Sequence, residues 1–150
     1  MTLTGGCQCG AVRFRVEGEL GRASICHCRM CQKAFGGFYG PYVGVEKASL
    51  VWTRGAQKRF QSSNRVWRGF CGDCGTQLTF ELDGRVSDVA IGAFDEPSRV
   101  APQVQVRHED AQSFVDGVAD LPRVTLPYST EGLVSYQHPD HDTSEWPPRA

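Results

Sequence analysis

The sequence predicts a mainly β fold, and three observations favour it. The 150 residues include 17 glycines and 8 prolines, a composition typical of turn-rich sheets rather than of helical bundles. Several segments alternate apolar and polar residues with the period of two that a half-buried strand requires. Short-spaced cysteine pairs adjoin these segments, as in zinc ribbons. The length suits one domain with a core of its own.

The net charge of -1 argues against a general nucleic-acid or membrane-surface binder. No apolar run approaches the roughly 20 residues of a transmembrane helix. The start, residues 1–6, lacks the basic and apolar regions of a signal peptide. We therefore expect a cytoplasmic protein that keeps its thiols reduced or bound to metal, with no nucleic-acid and no membrane partner. The sequence does not specify the oligomeric state.

The first predicted elements are a strand at residues 11–18 and a short strand at 23–25 that leads to Cys26. Gly10 would let the chain turn tightly before the first of them. That strand alternates strictly, so its two faces differ in polarity. Its apolar face carries Val12, Phe14 and Val16, and its polar face carries Arg13, Arg15 and Glu17.

Residues 28–35 suit a helical turn, because the spacing of Cys28 and Cys31 fits one and the Gly36-Gly37 pair would end it. Two strands follow, at 38–45 and at 50–52. Pro41 lies in the first of them and predicts an edge position, since proline has no N–H to donate to a neighbouring strand.

Two hairpins are predicted next. Residues 58–61 and 66–70 pair across a polar turn, and the second strand leads directly into the Cys71 to Cys74 knuckle. Residues 78–82 and 86–91 are joined by Asp83-Gly84, which is the clearest hairpin signal in the chain. Five basic residues of this region are expected on its solvated face: Arg54, Lys58, Arg59, Arg65 and Arg68.

From Asp95 onward the pattern weakens and predicts irregular structure laid over the sheet. We predict a zinc-binding domain at residues 1–137 and a mobile, proline-rich tail at 138–150. His138 and His141 lie in this tail, where a flexible chain would offer a metal no preorganised geometry.

The seven cysteines carry the functional signal. A closed structural zinc site takes four protein ligands, whereas an open one takes three and leaves a position for water or substrate. The C-x-x-C pair at residues 71–74 needs a second pair, and the C-x-C pair at residues 7–9 supplies it if an extended backbone directs both side chains to one face. The prediction is a four-cysteine zinc site and an open three-cysteine zinc site: Cys7, Cys9, Cys71 and Cys74 in the first, Cys26, Cys28 and Cys31 in the second.

Three alternatives remain open at this point. A disulfide framework would leave one cysteine over and would require a secreted chain. A redox C-x-x-C motif at Cys71 and Cys74 would normally open a helix after a strand, whereas Gly72 and Gly75 suit a tight knuckle better. The third alternative is one zinc site with the remaining cysteines incidental.

Three motifs together resemble one family. They are Gly6-Cys7-x-Cys9-Gly10-x-Val12, Cys26-His27-Cys28-x-x-Cys31-x-Lys33 and Phe70-Cys71-x-x-Cys74-Gly75, in this order. They resemble the glutathione-dependent formaldehyde-activating enzymes, a family that also includes centromere protein V. The resemblance implies a β-tent fold with two zinc ions per chain, one structural on the four cysteines and one substrate-facing on the three.

The resemblance also implies a carbon-sulfur lyase similar to S-(hydroxymethyl)glutathione synthase, which joins a thiol such as glutathione to formaldehyde or a related small electrophile. It is weaker beyond Gly75. Family members often carry a histidine a few residues after a proline, but here Pro102 is followed by Gln103-Val104-Gln105-Val106, with glutamine at the aligned place. The alternative from another class is a non-catalytic zinc-stabilised binding module, in which an internal fourth ligand would close the three-cysteine site.

Candidate substrate residues lie beside the three-cysteine motif. His27 could shuttle a proton, although a histidine that supports a neighbouring ligand or is merely packed is the favoured alternative. Glutathione carries carboxylates, so its pocket should offer cations or backbone amides; Arg29, Lys33, Gly36 and Gly37 are the nearest in sequence. An apolar wall could come from Phe35, Phe38 or Tyr39.

Overall fold

The computed structural model describes residues 1–46 and 48–146, and in this part of the chain strands predominate, as predicted. One α-helix, α1, spans Arg29–Phe35. Four short 3-10 helices span Ile91–Ala93, Pro97–Val100, His108–Asp110 and Val115–Asp120. The strands are β1 (Thr2–Gly6), β2 (Arg13–Gly18), β3 (Ala23–Cys26), β4 (Gly40–Gly44), β5 (Ala48–Arg54), β6 (Lys58–Gln61), β7 (Val66–Phe70), β8 (Gln77–Leu82), β9 (Arg85–Ala90) and β10 (Val104–Val106).

The strands form two sheets. The smaller has the order β1-β2-β5 and is antiparallel throughout. The larger has the order β10-β3-β4-β9-β8-β7-β6, in which β10 runs parallel to β3 and every other pair is antiparallel. The two predicted hairpins, β6-β7 and β8-β9, are confirmed. The sequence analysis missed β10, because three residues after Pro102 are too few to show a period.

The core lies between the two sheets, and Phe14 of β2 is at its centre with no exposed surface. Its ring makes edge-to-face contacts with Phe94 at 5.3 Å and with Trp52 at 6.2 Å between ring centres. Such aromatic pairs contribute roughly 0.5–1.5 kcal/mol beyond the area that they bury. The predicted apolar face of β2 is confirmed, because Val12, Phe14 and Val16 are all buried.

Arg13 is a correction to that prediction. It was expected on the polar face of β2, but it is 3 % exposed and pairs with Asp95 and Asp142. The face opposite the core is covered here by the C-terminal segment, so a residue facing away from the core is still buried.

Pro41 is a second correction. Strand β4 is internal, since it pairs with β3 on one side and with β9 on the other. The ladder with β9 runs only from Tyr42 to Gly44, so Pro41 lies beyond its end and its missing N–H disrupts no bond there. By contrast, the Asp83-Gly84 turn is as predicted, with φ values of 50° and 83° that match a tight hairpin turn.

The last part of the described chain crosses the molecule. Leu121 to Gln137 is exposed and carries no strand or helix, whereas His138 is 3 % exposed. The segment 138–146, expected to be mobile, packs against the loop that holds Cys7 and Cys9. The domain boundary at residue 137 stays a prediction. Within residues 1–46 and 48–146, no helix has the length and apolarity to span a bilayer.

Candidate metal centres

Four cysteines from distant parts of the sequence converge at one end of the molecule. Cys7 and Cys9 lie in the loop between β1 and β2, and Cys71 and Cys74 lie in the knuckle between β7 and β8. Their sulfur atoms all lie within 4.8 Å of one another. Sulfur–sulfur distances are 3.6 Å between Cys7 and Cys9 and 3.8 Å between Cys9 and Cys71. Zinc–sulfur bonds of about 2.3 Å in a tetrahedron require roughly 3.8 Å between sulfurs, so this cluster has the spacing that zinc needs.

Backbone amides support these sulfurs. Val12 N–H donates to the sulfur of Cys7 at 3.3 Å, and Asp73 N–H donates to the sulfur of Cys71 at 3.4 Å. Burial raises the pKa of Cys9 to about 12. Burial acts in the same direction on Cys74, but hydrogen bonds from Thr76 outweigh it and lower the pKa of Cys74 to about 6. The cluster therefore contains one thiol that ionises readily, Cys74, beside another, Cys9, that needs a cation to do so.

The prediction that Cys7 and Cys9 share one face of an extended segment is wrong. The chain forms a turn here, with Gly10 N–H donating to Cys7 O at 3.1 Å and Gly10 at a φ of 74°. The antiparallel pairing of β1 and β2 forces this reversal between them. The knuckle glycine Gly75 has a φ of 79°, as a tight turn requires.

The C-terminal segment covers this loop. The backbone N–H of His138 donates to Gln8 O at 2.7 Å, and the indole N–H of Trp146 donates to Cys9 O. Both rings lie where a side chain at Gly10 would be. Burial lowers the pKa of His138, whose ring nitrogens face the 139 carbonyl and the Thr143 hydroxyl rather than the cysteines.

The second cluster consists of Cys26, Cys28 and Cys31, whose sulfurs also lie within 4.8 Å of one another. Cys26 ends β3, and Cys28 is the N-cap of α1, where its sulfur accepts a hydrogen bond from Cys31 N–H. The predicted helical turn is confirmed, with Gly36 as its left-handed C-cap. Across residues 1–46 and 48–146, no fourth cysteine, histidine or carboxylate joins this cluster.

Two of the three thiols, those of Cys26 and Cys31, affect each other's protonation. A hydrogen bond from Cys31 lowers the pKa of Cys26 to about 5, and the same interaction raises the pKa of Cys31, which burial raises further. Cys26 therefore loses its proton readily, whereas Cys31 retains its proton. A divalent cation would replace the remaining protons, since thiolates are the ligands that soft metals prefer.

Arg68 contacts this cluster, which the sequence analysis did not predict. It was expected on the solvated face of a hairpin, yet it is 1 % exposed and donates to the sulfur of Cys31 at 3.4 Å. Two further hydrogen bonds reach the hydroxyls of Tyr42 at 2.9 Å and Ser62 at 3.0 Å. The sequence could have predicted this burial, because side chains two residues apart share one face of a strand. Arg68 therefore lies on the same face of β7 as the apolar residues Val66 and Phe70.

His27 lies between two of these cysteines and is buried. Its Nε2 is 2.7 Å from Oε1 of Gln105 on β10, and because a carbonyl oxygen only accepts, Nε2 carries the proton. The other ring nitrogen, Nδ1, is buried without a hydrogen-bond partner among the described residues. The rings of Tyr39 and His108 contact the imidazole edge-to-face. By accepting this hydrogen bond, Gln105 fixes the tautomer of His27.

The predicted substrate residues divide into two groups. Arg29 and Lys33 line a groove of about 340 Å³ between α1 and β6. Gly36 and Gly37 are exposed at the end of α1 and do not line that groove. The remaining lining residues of the groove are Met30, Ala34, Phe60, Gln61 and Ser62.

The three aromatic candidates for a wall each pack elsewhere. Phe35 contacts Tyr42, Tyr39 contacts His27, and Phe38 contacts Phe114. No aromatic wall beside Arg29 and Lys33 comes from them.

All seven cysteines are free thiols, so the disulfide alternative is not the arrangement found. Fold and site together define a mainly β protein with two cysteine clusters suited to metal ions. The family model described as glutathione-dependent formaldehyde-activating enzyme matches residues 2–110. This match covers both clusters and most of the chain, so the protein belongs to that family.

No curated protein matches the chain. Among solved structures, the crystal structure of a Rhodobacter sphaeroides protein is similar, with a TM-score of 0.51 and 22 % sequence identity. The similarity covers 69 % of this chain and 100 % of that chain. At this identity the likeness shows the fold alone.

Proposed function

We propose that this protein is a zinc-dependent carbon-sulfur lyase-type enzyme that joins a glutathione-like thiol to formaldehyde or a related small electrophile. The observation that carries the proposal is the division of seven cysteines into a cluster of four and a cluster of three with no fourth ligand among the described residues. A non-catalytic zinc module has no need of an open site. Family membership supports the same activity.

Two zinc ions fit the two clusters. Cys7, Cys9, Cys71 and Cys74 would hold a structural ion, and Cys26, Cys28 and Cys31 would hold the other. A zinc ion at the three-cysteine cluster supplies an open coordination position and lowers the pKa of a thiol that binds there. We also infer a cytoplasmic location, which is supported by the seven free thiols because reducing compartments keep such thiols available for metal.

The reaction forms one carbon–sulfur bond. The substrate sulfur attacks the carbonyl carbon of formaldehyde, the carbon–oxygen π bond opens, and the thiol proton ends on the new hydroxyl oxygen. The protein's part is to hold sulfur and carbonyl carbon together, which can supply a large share of the rate enhancement in an addition of two molecules. His27 has a fixed tautomer with a bare Nδ1, so it is suited to accept a proton or a hydrogen bond.

The groove beside α1 is suited to the rest of the thiol substrate. Arg29 and Lys33 place two exposed positive charges on it, and glutathione carries two carboxylates for them to bind. Ser62 belongs to this groove and also accepts a hydrogen bond from Arg68, which contacts Cys31. The groove is thereby linked to the three-cysteine cluster through one buried side chain.

Cobalt substitution tests the proposal, since cobalt reports its coordination through visible absorption. We expect glutathione to shift the spectrum and thiol-dependent consumption of formaldehyde to follow. An unchanged spectrum without turnover would favour the zinc module. A shift without turnover would mean that the protein binds thiols and that the electrophile is another one.

A further inference from the structure

Arg68 is a buried cation without a carboxylate partner. Its hydrogen bonds go to Ser62, Tyr42 and Cys31, and its guanidinium carbon lies 5.2 Å from the centre of the Phe80 ring. In the described part of the chain, no Asp or Glu forms an ion pair with it. A buried guanidinium without a counter-ion is strongly unfavourable, so negative charge must lie nearby.

Of its three hydrogen-bond partners, only Cys31 belongs to a set of residues that can hold a metal ion as thiolates. Ser62 carries a neutral hydroxyl. Burial, the largest effect on Tyr42, raises the pKa of its phenol above the ordinary value of 10. The counter-charge of Arg68 is therefore the thiolate charge of the three-cysteine cluster, reached through the sulfur of Cys31.

This arrangement bears on the ligand that the cluster can accept. A divalent ion with three thiolates carries a net charge of about -1, which repels a further anion. The guanidinium charge cancels that excess, and because Arg68 and Cys31 are 1 % and 2 % exposed, water and salt screen the interaction little. Arg29 and Lys33 are exposed, so their effect at the same point is weaker.

We propose that Arg68 is a positioning residue that lets the three-cysteine zinc site take an anionic fourth ligand, by neutralising the site through Cys31. The proposal rests on the proposed function, since it is the substrate thiolate that this charge would favour. It predicts a specific property: affinity for anions at the open position depends on Arg68, whereas affinity for neutral ligands does not.

The test uses the full chain loaded with cobalt at both clusters, and difference spectra on adding a ligand report the open site. Azide is the anionic probe, imidazole the neutral probe, and glutathione the proposed substrate. In Arg68→Gln we expect azide and glutathione affinity to fall about tenfold or more relative to imidazole. Arg68→Lys should retain most of the wild-type preference for azide over imidazole, because it retains the charge.

Two matched controls isolate the charge. Arg65→Gln removes an arginine of the same hairpin that pairs with Asp83 at the surface and should leave the azide to imidazole ratio unchanged. Tyr42→Phe removes a hydrogen-bond partner of Arg68 without removing charge and should do the same. If Arg68→Gln does not fold, the ratio in Arg68→Lys decides: a ratio near wild type supports the proposal, and a tenfold loss overturns it.

Equal losses of azide and imidazole affinity in Arg68→Gln would mean that Arg68 only supports the fold, and would overturn the proposal. A wild-type protein that binds azide but not glutathione would contradict the proposed function. The comparison of azide with imidazole affinity in the Arg68 variants would still decide the role of Arg68.

Discussion

The guanidinium of Arg13 and the carboxylate of Asp95 form a two-pronged ion pair, with nitrogen–oxygen distances of 2.8 and 2.6 Å. The pair joins strand β2 of the smaller sheet to the segment that follows β9 of the larger sheet. Thr4 donates its hydroxyl to the same carboxylate at 2.5 Å. Asp142 accepts from Arg13 at 2.8 Å, so three separate parts of the chain meet at one buried cation.

We predict that Asp95→Asn destabilises the protein by up to about 3 kcal/mol, the low end of the range for breaking a buried pair, because Asp142 still partners Arg13. Burial acts to raise the pKa of Asp95, but Arg13 and Thr4 outweigh it and hold the pKa below the ordinary 3.8. The folded pKa is thus depressed. The stabilisation is complete above about pH 4 and is lost as pH falls through the folded value.

Urea unfolding of zinc-loaded protein at a series of pH values measures this effect. Acid also protonates the cysteines and releases zinc, so the informative quantity is the difference between wild type and variant. That difference should be largest near neutral pH and should shrink toward pH 3. A difference that is independent of pH would contradict the assignment. Asp142→Asn, at a more exposed partner of Arg13, should show a smaller effect.

We predict two zinc ions per chain in fully metallated protein. The sulfur spacings of both clusters fit the metal, and elemental analysis after careful loading counts the ions. Partial occupancy as purified is compatible with the prediction, because a three-ligand site releases metal more readily. One ion per chain after loading, together with free alkylation of Cys26, Cys28 and Cys31, would exclude the division into four and three.

The C-terminal segment should slow the loss of zinc from the four-cysteine cluster. Trp146 and His138 bond to the carbonyls of Cys9 and Gln8 and cover the loop at Gly10. We predict that Trp146→Ala releases this zinc to a chelator several-fold faster, because the loop opens more often. Trp146→Phe keeps an aromatic ring at this position but loses the indole N–H, so its rate should be intermediate. Equal release rates in all three proteins would show that the segment does not protect the cluster.

The sequence predicted the elements whose signals are local. The alternation around Phe14, the Asp83-Gly84 turn and the spacing of Cys28 and Cys31 each lie within a few residues, and each prediction is confirmed. The grouping of cysteines is long-range, but thiol spacing and the four-ligand requirement of a closed zinc site limit the choices. The structure brings together the same two sets that the sequence analysis chose.

The errors at Arg13 and Arg68, and the missed contact of Gln105, concern contacts that the sequence does not encode locally. Arg13 was placed on a solvated face because its partners, Asp95 and Asp142, lie 82 and 129 residues away. Arg68 was assigned to solvent although its register placed it with apolar neighbours, since a basic residue is usually exposed. The contact of Gln105 with His27 depends on β10, a strand of three residues.

The last prediction contrasts one cysteine from each cluster. Structural zinc stabilises small metal-binding domains by on the order of 10 kcal/mol or more, which is comparable with the whole net stability of a typical domain. Cys74→Ser should therefore yield poorly folded protein with little zinc. Cys31→Ser should lose metal at its own cluster and the thiol response, while the four-cysteine zinc keeps the fold. Its melting temperature should fall, because the buried Arg68 loses the sulfur that carries its counter-charge, but it should fall by less than that of Cys74→Ser. Circular dichroism melts with zinc analysis of both variants measure the contrast.

Two outcomes would contradict this division of roles between the clusters. A Cys74→Ser protein with unchanged melting temperature and zinc content would refute the structural role of its cluster. A Cys31→Ser protein as unstable as Cys74→Ser would show that both clusters hold the fold.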